Sequence, residues 1–208
     1  MLGAALALLA SYLLGSLPTS HLVSRLIAKI DLREHGSGNL GATNLYRVLG
    51  WKYAVPVALF DMGKGVVPVL VFAPAVADSQ LLAILCGVAA ILGHVFSVFV
   101  GFKGGKGVAT AGGVMLALTP LALAVAAAVW ALLLLLTGYV SVGSIAAAAV
   151  LPVAVYLLER PATPELIWID AAVAAGVIFL HRGNIQRLLR GTENRFGRRA
   201  RAPSTPPT

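Results

Sequence analysis

The chain has 208 residues, of which 59% are hydrophobic and only 12% charged, and its mean hydropathy is +0.89. A soluble domain carries about 25% charged residues. This composition excludes a soluble globular domain and predicts a protein that lies almost entirely in a membrane. The formal net charge is +8 at pH 7. Nucleic-acid binding would explain such an excess, but the cations flank apolar runs and form no basic domain.

Five apolar runs divide the chain, and several reach the roughly 20 residues that a helix needs to cross a membrane. They cover about residues 3–25, 53–77, 80–101, 109–158 and 165–181. The first run lacks the cationic start and the small-residue cleavage site of a signal peptide, so we interpret it as the first membrane helix. The lone cysteine, Cys86, lies inside an apolar run and is interpreted as a buried structural residue.

Lysine and arginine cluster in three segments, and this distribution predicts the topology. Of the 16 cations, all but Lys64 and Arg160 lie between residues 25 and 52, in 103–106, or between 182 and 201. Short basic loops stay on the cytoplasmic side. The three segments should therefore share that side, with the N-terminus outside and the C-terminus in the cytoplasm.

The second and fourth apolar runs are each predicted to contain breaks. Asp61 and Lys64 interrupt the second run, which predicts a helix broken near its middle, with the two charges paired or lining a cavity. The alternative is a local pair that caps two half-helices. The fourth run is about 50 residues long, and three short helices put the basic segments on one side, with breaks at Pro120 and in 137–144. A re-entrant segment would satisfy the same condition.

The predicted fold is therefore all-α, a polytopic membrane protein with about seven transmembrane helices, some of them short or broken. Residues 1–201 form a single integral-membrane domain. Residues 202–208, rich in proline, serine and threonine, form a disordered tail.

The first cytoplasmic loop is rich in glycine and small polar residues. It reads GSGNLGATNLYR over residues 36–47, and its formal G-x-G-x-x-G match lacks the preceding strand of a dinucleotide site. Glycines admit an anion to the backbone amides, and an arginine binds phosphate as a fork. The candidate ligands are Gly36, Ser37, Gly38, Asn39, Thr43, Asn44 and Arg47. The alternative is a flexible turn with Asn and Ser caps.

The second loop, FKGGKGVAT over residues 102–110, enters a helix with two lysines among its glycines. It is no P-loop, because Val100 and Gly107 stand where the first glycine and the Ser/Thr would be. It still predicts a phosphate cradle, and a merely topogenic loop would need lysines alone. The candidates are Lys103, Gly104, Gly105, Lys106 and Thr110.

The third loop begins at the end of the last run. His181, Asn184 and Arg187 are spaced by three residues and would share one helical face. Ser141 and Ser144 lie at a proposed helix break, where they face the same site or bond back to helical carbonyls. His94, which ends the third run, is a structural or a functional histidine. The run from Arg195 to Arg201 is interpreted as a lipid-headgroup contact.

Three segments, in fixed order between apolar runs, carry a family resemblance. GSGNLGATNLYRVLG, GHVFSVFVGFKGGKGVAT and HRGNIQRLLRGTE together resemble the membrane acyl-phosphate:glycerol-3-phosphate acyltransferases of bacteria. The similarity spans nearly the whole chain. One departure is Leu40, a position that is often proline in the family.

The resemblance implies transfer of a fatty acyl group from acyl phosphate to the 1-hydroxyl of glycerol 3-phosphate, giving lysophosphatidic acid and phosphate. The enzyme would need no cofactor or metal and would sit in the inner membrane, its site facing the cytoplasm. Its partners would be the two substrates, membrane lipids and the soluble enzyme that makes acyl phosphate, with no nucleic acid. Catalytic roles are expected for Ser37, Arg47, Lys106, His181 and Asn184.

Direct attack by the glycerol hydroxyl fits the residues, because acyl phosphate is already activated and positioning with charge stabilisation suffices. No histidine is followed by an aspartate five positions later, so the His-x4-Asp acyltransferase signature is absent. The proton is expected to pass to a substrate phosphate, with His181 as the reserve base. The rival interpretations are an organic-phosphate transporter or channel and a lipid-binding scaffold.

Overall fold

A computed structural model describes residues 1–159 and 163–197, and all the regular structure in these ranges is helical. Ten α-helices follow one another: α1 Leu2–Ser16, α2 Thr19–Ala28, α3 Ala42–Leu49, α4 Trp51–Val67, α5 Gln80–Val95, α6 Val108–Leu118, α7 Pro120–Thr137, α8 Val140–Leu158, α9 Pro164–Leu180 and α10 Arg182–Leu189. A π-helix, Pro68–Phe72, continues α4, and short 3-10 turns cover Leu32–Glu34 and Val98–Val100. The predicted tail, 202–208, lies outside the described residues.

Five segments of the described chain are long and apolar enough to cross a membrane. They are Leu2–Ala28, Trp51–Phe72, Gln80–Val100, Pro120–Thr137 and Val140–Leu158, and α9 with α10 makes a sixth if this pair, bent by 50°, counts as one span. The prediction of an all-α polytopic protein is confirmed. With 11 residues, α6 rises about 16 Å, roughly half of the hydrocarbon thickness. The count of seven spans and the orientation of the termini stay predictions.

The structure confirms the division of the fourth run into three helices. The helices α6 and α7 meet at Thr119, directly before Pro120, and α7 ends at Thr137, before Gly138, which has a left-handed φ of 74°. At the start of α7, the amides of Leu121 (2.8 Å) and Ala122 (3.0 Å) donate hydrogen bonds to Oε1 of Glu159, which directly follows α8. The carboxylate thus caps the N-terminus of α7 from the end of α8, which makes the two helices an antiparallel hairpin.

The predicted break in the second run is wrong. Helix α4 continues through Asp61 and Lys64, and these two residues form an i,i+3 ion pair of 2.7 Å that is almost fully buried. The expected pairing is therefore confirmed, but inside an unbroken helix. Because each residue neutralises the other, no isolated charge is buried in the membrane, where it would be energetically costly. The helix changes only at Pro68, where the π-turn begins.

The break lies instead in the first run, at Pro18, between α1 and α2. The Lys64 ammonium donates to the carbonyl of Leu17 (2.8 Å), and the Thr19 hydroxyl donates to Asp61 (2.9 Å). The pair on α4 therefore satisfies backbone and side-chain groups at the open end of α1. Unpaired carbonyls are costly in hydrocarbon, so this contact stabilises a break that the apolar sequence did not reveal.

Glycines bring two pairs of membrane helices into backbone contact. A Cβ on Gly113 of α6 would lie 1.9 Å from the carbonyl oxygen of Met62, and one on Gly65 of α4 would lie 2.1 Å from that of Thr110. Between α1 and α5, Gly15 and Gly93 make the equivalent reciprocal approaches. Small residues at interfaces are how membrane helices gain packing contacts without a hydrophobic driving force. These contacts hold α4 against α6 and α1 against α5.

Candidate functional site

A cleft of about 490 Å³ opens where the three predicted loops meet. Its lining includes Ser37, Gly38 and Asn39 from the first loop, residues 102–106 from the second, and Arg182, Gly183, Asn184, Gln186 and Arg187 from α10. Four apolar residues, Val95, Phe96, Phe102 and Leu180, also line it. The cleft thus brings cationic and apolar side chains to one space.

The first loop is organised around the side chain of Asn44, which is buried. Its Oδ1 accepts from the amide of Ser37 (2.7 Å), and its Nδ2 donates to the carbonyls of His35 (2.9 Å) and Asn39 (3.0 Å). A Cβ on Gly36, which has a φ of +62°, would lie 2.2 Å from Asn44 Oδ1. The carboxamide is committed to the loop, so the structure gives Asn44 a supporting role and leaves Ser37 and Asn39 to line the cleft.

The glycines of the second loop serve packing. The amides of Gly104 and Gly105 donate to the carbonyls of Val95 (2.9 Å) and His94 (3.0 Å), at the end of α5. A Cβ at position 104 would lie 2.0 Å from the His94 carbonyl, and one at 105 would lie 2.2 Å from His94 Nε2. These amides close the C-terminus of α5, so the loop presents its lysine side chains to the cleft.

Polar side chains from α8 and α10 converge on Glu193, and a lysine of the second loop joins them through Asn184. Its Oε1 accepts from Ser141 Oγ (2.9 Å) and Asn184 Nδ2 (2.6 Å), and its Oε2 accepts from Arg187 Nε (2.7 Å). The Lys106 ammonium donates to Oδ1 of the same Asn184. The amide of Asn184 is thereby oriented from both sides, and it links the carboxylate to the lysine.

Burial and the neighbouring charges shift the pKa values of the residues in and beside this network. Burial lowers the pKa of Lys106 to about 8, and the neighbouring Arg187 adds to that shift while Glu193 opposes it. Burial also lowers the pKa of Arg47. For Glu193, burial alone would raise the pKa, but the hydrogen bonds from Asn184, Arg187 and Ser141 lower it below its ordinary value. A carboxylate therefore stands among cations at neutral pH, and it neutralises only part of their charge.

His181 lies at the junction of α9 and α10 and is buried. Its Nδ1 lies 2.8 Å from the carbonyl oxygen of Val177. A carbonyl only accepts, so Nδ1 carries the proton and Nε2 is the acceptor nitrogen of the neutral ring. Any proton transfer by His181 must use Nε2.

The other predicted site residues are spread around the cleft. Lys103 and Arg187 line it, whereas Arg47 lies beside it, with one guanidinium nitrogen 3.5 Å from the carbonyl oxygen of Asn194. Thr43 lies in the first turn of α3 and does not line the cleft. Thr110 is fully buried in α6, and Ser144 accepts from Trp130 Nε1 (3.3 Å), so neither lines the cleft. Within the described residues, no group of three or more His, Cys, Asp or Glu side chains is arranged to hold a metal ion.

Sequence reasoning missed Glu193, Gln186 and Arg182 as site residues. One feature pointed to Glu193, because it is the only acidic residue between positions 182 and 201. The headgroup contact expected for Arg195 stays a prediction, and the structure shows a contact of its side chain with Tyr139. Its guanidinium group lies 5.3 Å from the centre of the Tyr139 ring, and its Nε donates to the Tyr139 hydroxyl (3.3 Å). Residues 198–201 lie outside the described residues.

The fold and the cleft together define an integral membrane protein with a cleft lined by lysine and arginine side chains at one end of its helices. The profile of the glycerol-3-phosphate acyltransferase family matches residues 5–191. The chain therefore belongs to the glycerol-3-phosphate acyltransferase family, as the three segments had indicated.

Individual relatives agree with this assignment. A glycerol-3-phosphate acyltransferase of Trichlorobacter lovleyi is 50% identical over 89% of this chain and 94% of its own length. Glycerol-3-phosphate acyltransferase 2 of Bacillus anthracis is 46% identical over 92% and 98%. Among solved structures, PlsY (YgiH), an integral membrane glycerol 3-phosphate acyltransferase in its glycerol 3-phosphate form, superposes with a TM-score of 0.87 at 39% identity, over 93% of this chain and 96% of that one. Its lysophosphatidic acid form gives a TM-score of 0.83 at 38% identity over 93% and 95%.

Proposed function

We propose that this protein transfers a fatty acyl group from acyl phosphate to the 1-hydroxyl of glycerol 3-phosphate. The products are lysophosphatidic acid and inorganic phosphate. The observation that carries the proposal is the cleft itself, in which Lys103, Lys106 and Arg187 share a space with the apolar side chains of Val95, Phe96, Phe102 and Leu180. Cations suit the phosphates of both substrates, and apolar side chains suit an acyl chain.

The reaction is a direct transfer. The glycerol oxygen forms a bond to the acyl carbon, and the bond from that carbon to the phosphate oxygen breaks. The hydroxyl proton passes to a substrate phosphate, with His181 Nε2 as the reserve acceptor. Lys106 and Arg187 stabilise the charge on the departing phosphate, and Asn184 holds Lys106 in place. Ser37 and Asn39 orient the polar substrate from the opposite loop.

The proposal includes a location and partners. The protein lies in the bacterial inner membrane with the cleft facing the cytoplasm, because the basic loops that form the cleft follow the positive-inside rule. Glycerol 3-phosphate then enters from the cytoplasm. The acyl phosphate comes from the soluble enzyme that makes it, since this donor is consumed at the membrane surface.

The donor assay tests this function. Protein purified in detergent is given radiolabelled glycerol 3-phosphate with acyl phosphate, acyl-CoA or acyl carrier protein as donor. We expect lysophosphatidic acid from acyl phosphate only, and about 100-fold less from Lys106→Ala. Lys52→Ala is the matched control, because Lys52 is exposed at the start of α4 and does not line the cleft, so its activity stays near wild type.

Three results would each contradict one part of the proposal. Full activity of Lys106→Ala would show that Lys106 has no role in catalysis. The absence of product with acyl phosphate as donor would exclude the proposed function. Isolation of a covalent acyl-serine or acyl-Cys86 protein would exclude direct transfer.

A further inference from the structure

Residues 193–196, here called the strap, follow the end of α10 and lie beyond the residues that the family profile matches. The chain reverses at Gly191, which has a φ of +69°, and the amide of Thr192 donates to the carbonyl of Arg187 (2.8 Å). After this turn, the first residue of the strap contacts Asn184 and Arg187, which line the cleft. Glu193, its first residue, is held by side chains of α8 and α10.

The far end of the strap is attached to the turn between α7 and α8. The amide of Phe196 donates to the carbonyl of Gly138 at 2.7 Å. Arg195 contacts Tyr139 through both the ring face and the hydroxyl group. Two independent contacts therefore fix the backbone of the strap against one turn.

The strap also holds α3, the short helix that carries Arg47. The ring of Phe196 stacks on that of Tyr46, with centroids 4.7 Å apart and planes inclined by 16°. The carbonyl of Asn194 accepts from the Arg47 guanidinium group. Tyr46 directly precedes Arg47 in a helix of only eight residues, so the stack fixes the rotation of the segment that presents the arginine.

Arg47 depends on this support. It is half-buried, and its Nε has no hydrogen-bond partner among residues 1–159 and 163–197. Its charge interacts with those of Glu193 and Arg187 at the edge of the cleft. An arginine with so few direct bonds keeps its position through the packing of the backbone that carries it.

We propose that Phe196 and Tyr46 are positioning residues, which set Arg47 beside the cleft so that it attracts the phosphate of glycerol 3-phosphate. This inference rests on the proposed function for its substrate. The strap thus couples the third loop to the first through an aromatic stack, and Arg47 is the group on which it acts.

The test combines Phe196→Ala with Arg47→Lys in a double-mutant cycle. In the wild-type background we expect Phe196→Ala to raise KM for glycerol 3-phosphate roughly threefold to tenfold, the size of one aromatic pair's contribution, with kcat changed less than twofold. In the Arg47→Lys background the same change should have no further effect. Phe196→Tyr, which keeps the stack, should restore KM to within about twofold of wild type.

Phe60→Ala is the matched control, because Phe60 is 47% exposed, against 45% for Phe196, and lies on α4 away from the cleft. Its KM should stay at the wild-type value. The inference is overturned if Phe196→Ala leaves KM unchanged, if it raises KM equally in both backgrounds, or if Phe196→Tyr fails to restore it.

Binding of glycerol 3-phosphate by calorimetry in detergent separates this inference from the proposed function. Suppose that the wild-type protein binds glycerol 3-phosphate without acyl transfer and that Phe196→Ala weakens binding only when Arg47 is present. The proposed acyl transfer is then rejected, and the positioning role of Phe196 is supported. If the wild-type protein makes lysophosphatidic acid but the effects of Phe196→Ala and Arg47→Lys are additive, the positioning role of Phe196 is rejected and the proposed acyl transfer is supported. No binding and no transfer by wild type overturn both.

Discussion

Lys106 brings an ammonium group into a partly buried site beside two arginines. Burial and Arg187 lower its pKa to about 8, which puts its charge change just above neutral pH. The charged form is present below that pKa and is lost as pH rises through it. A phosphate in the cleft is stabilised by the ammonium and not by the neutral amine, so this one residue should make the site sensitive to alkaline pH.

The pH profile tests this expectation. We expect kcat/KM for glycerol 3-phosphate to fall about tenfold per pH unit above pH 8, because this ratio reports groups of the free enzyme. The value of kcat should begin to fall only at a higher pH, because bound phosphate stabilises the charged form of Lys106. Lys106→Arg keeps its charge throughout this range, so its kcat/KM should be lower but flat from about pH 7 to 9.5. A limb at the same pH in Lys106→Arg would assign the titration to another group.

At the scale of elements, close backbone contacts position the loops. Gly113 of α6 touches the carbonyl of Met62 on α4, and the loop that carries Lys106 leads directly into α6. In the second loop, Gly104 and Gly105 press against the end of α5. The glycine-rich pattern therefore reflects helix and loop packing at these positions, and the proposed binding of phosphate falls to the cationic side chains.

Gly113→Ala should destabilise the protein. The new Cβ would lie 1.9 Å from the Met62 carbonyl oxygen, and α4 and α6 must separate to accept it. Overpacking of this kind costs about 1–3 kcal/mol, which corresponds to a fall in Tm of roughly 3–10 °C for a chain of this size. Thermal unfolding in detergent measures the shift.

Gly63→Ala is the matched control on the neighbouring helix, because a Cβ at position 63 would meet nothing within 4 Å. We expect its Tm to be unchanged or slightly higher, since alanine is the better helix former. Equal Tm values for Gly113→Ala and wild type would show that α4 and α6 move apart without cost.

For the whole molecule, charge distribution and helix order predict which end of the helices faces the cytoplasm. The cleft loops and the turn at Gly138 lie at one end of the helices, because the strap contacts both. The contact of Glu159 with the start of α7 marks the other end. Cations cluster at the cleft end, which should therefore be cytoplasmic.

Single-cysteine labelling tests this orientation. Asp78→Cys lies between the π-helix and α5 and should react with a membrane-impermeant maleimide in intact cells. Arg190→Cys, at the end of α10, should react only after permeabilisation. The native Cys86 is fully buried and serves as the unlabelled background. The opposite labelling pattern would invert the topology and place the cleft outside.

The sequence by itself determined the membrane class, the helical fold, the three basic loops and the family, because hydropathy, charge and motif order are local properties of the chain. It also predicted the pairing of Asp61 with Lys64 and the division of the fourth run. Only the tertiary structure decided that α4 stays unbroken while the break falls at Pro18, since that balance depends on Lys64 reaching the carbonyl of Leu17. It likewise decided that Glu193 gathers Ser141, Asn184 and Arg187, and that Asn44 is committed to its own loop. Residues far apart in sequence meet there, and their hydrogen bonds exist only once the helices have packed.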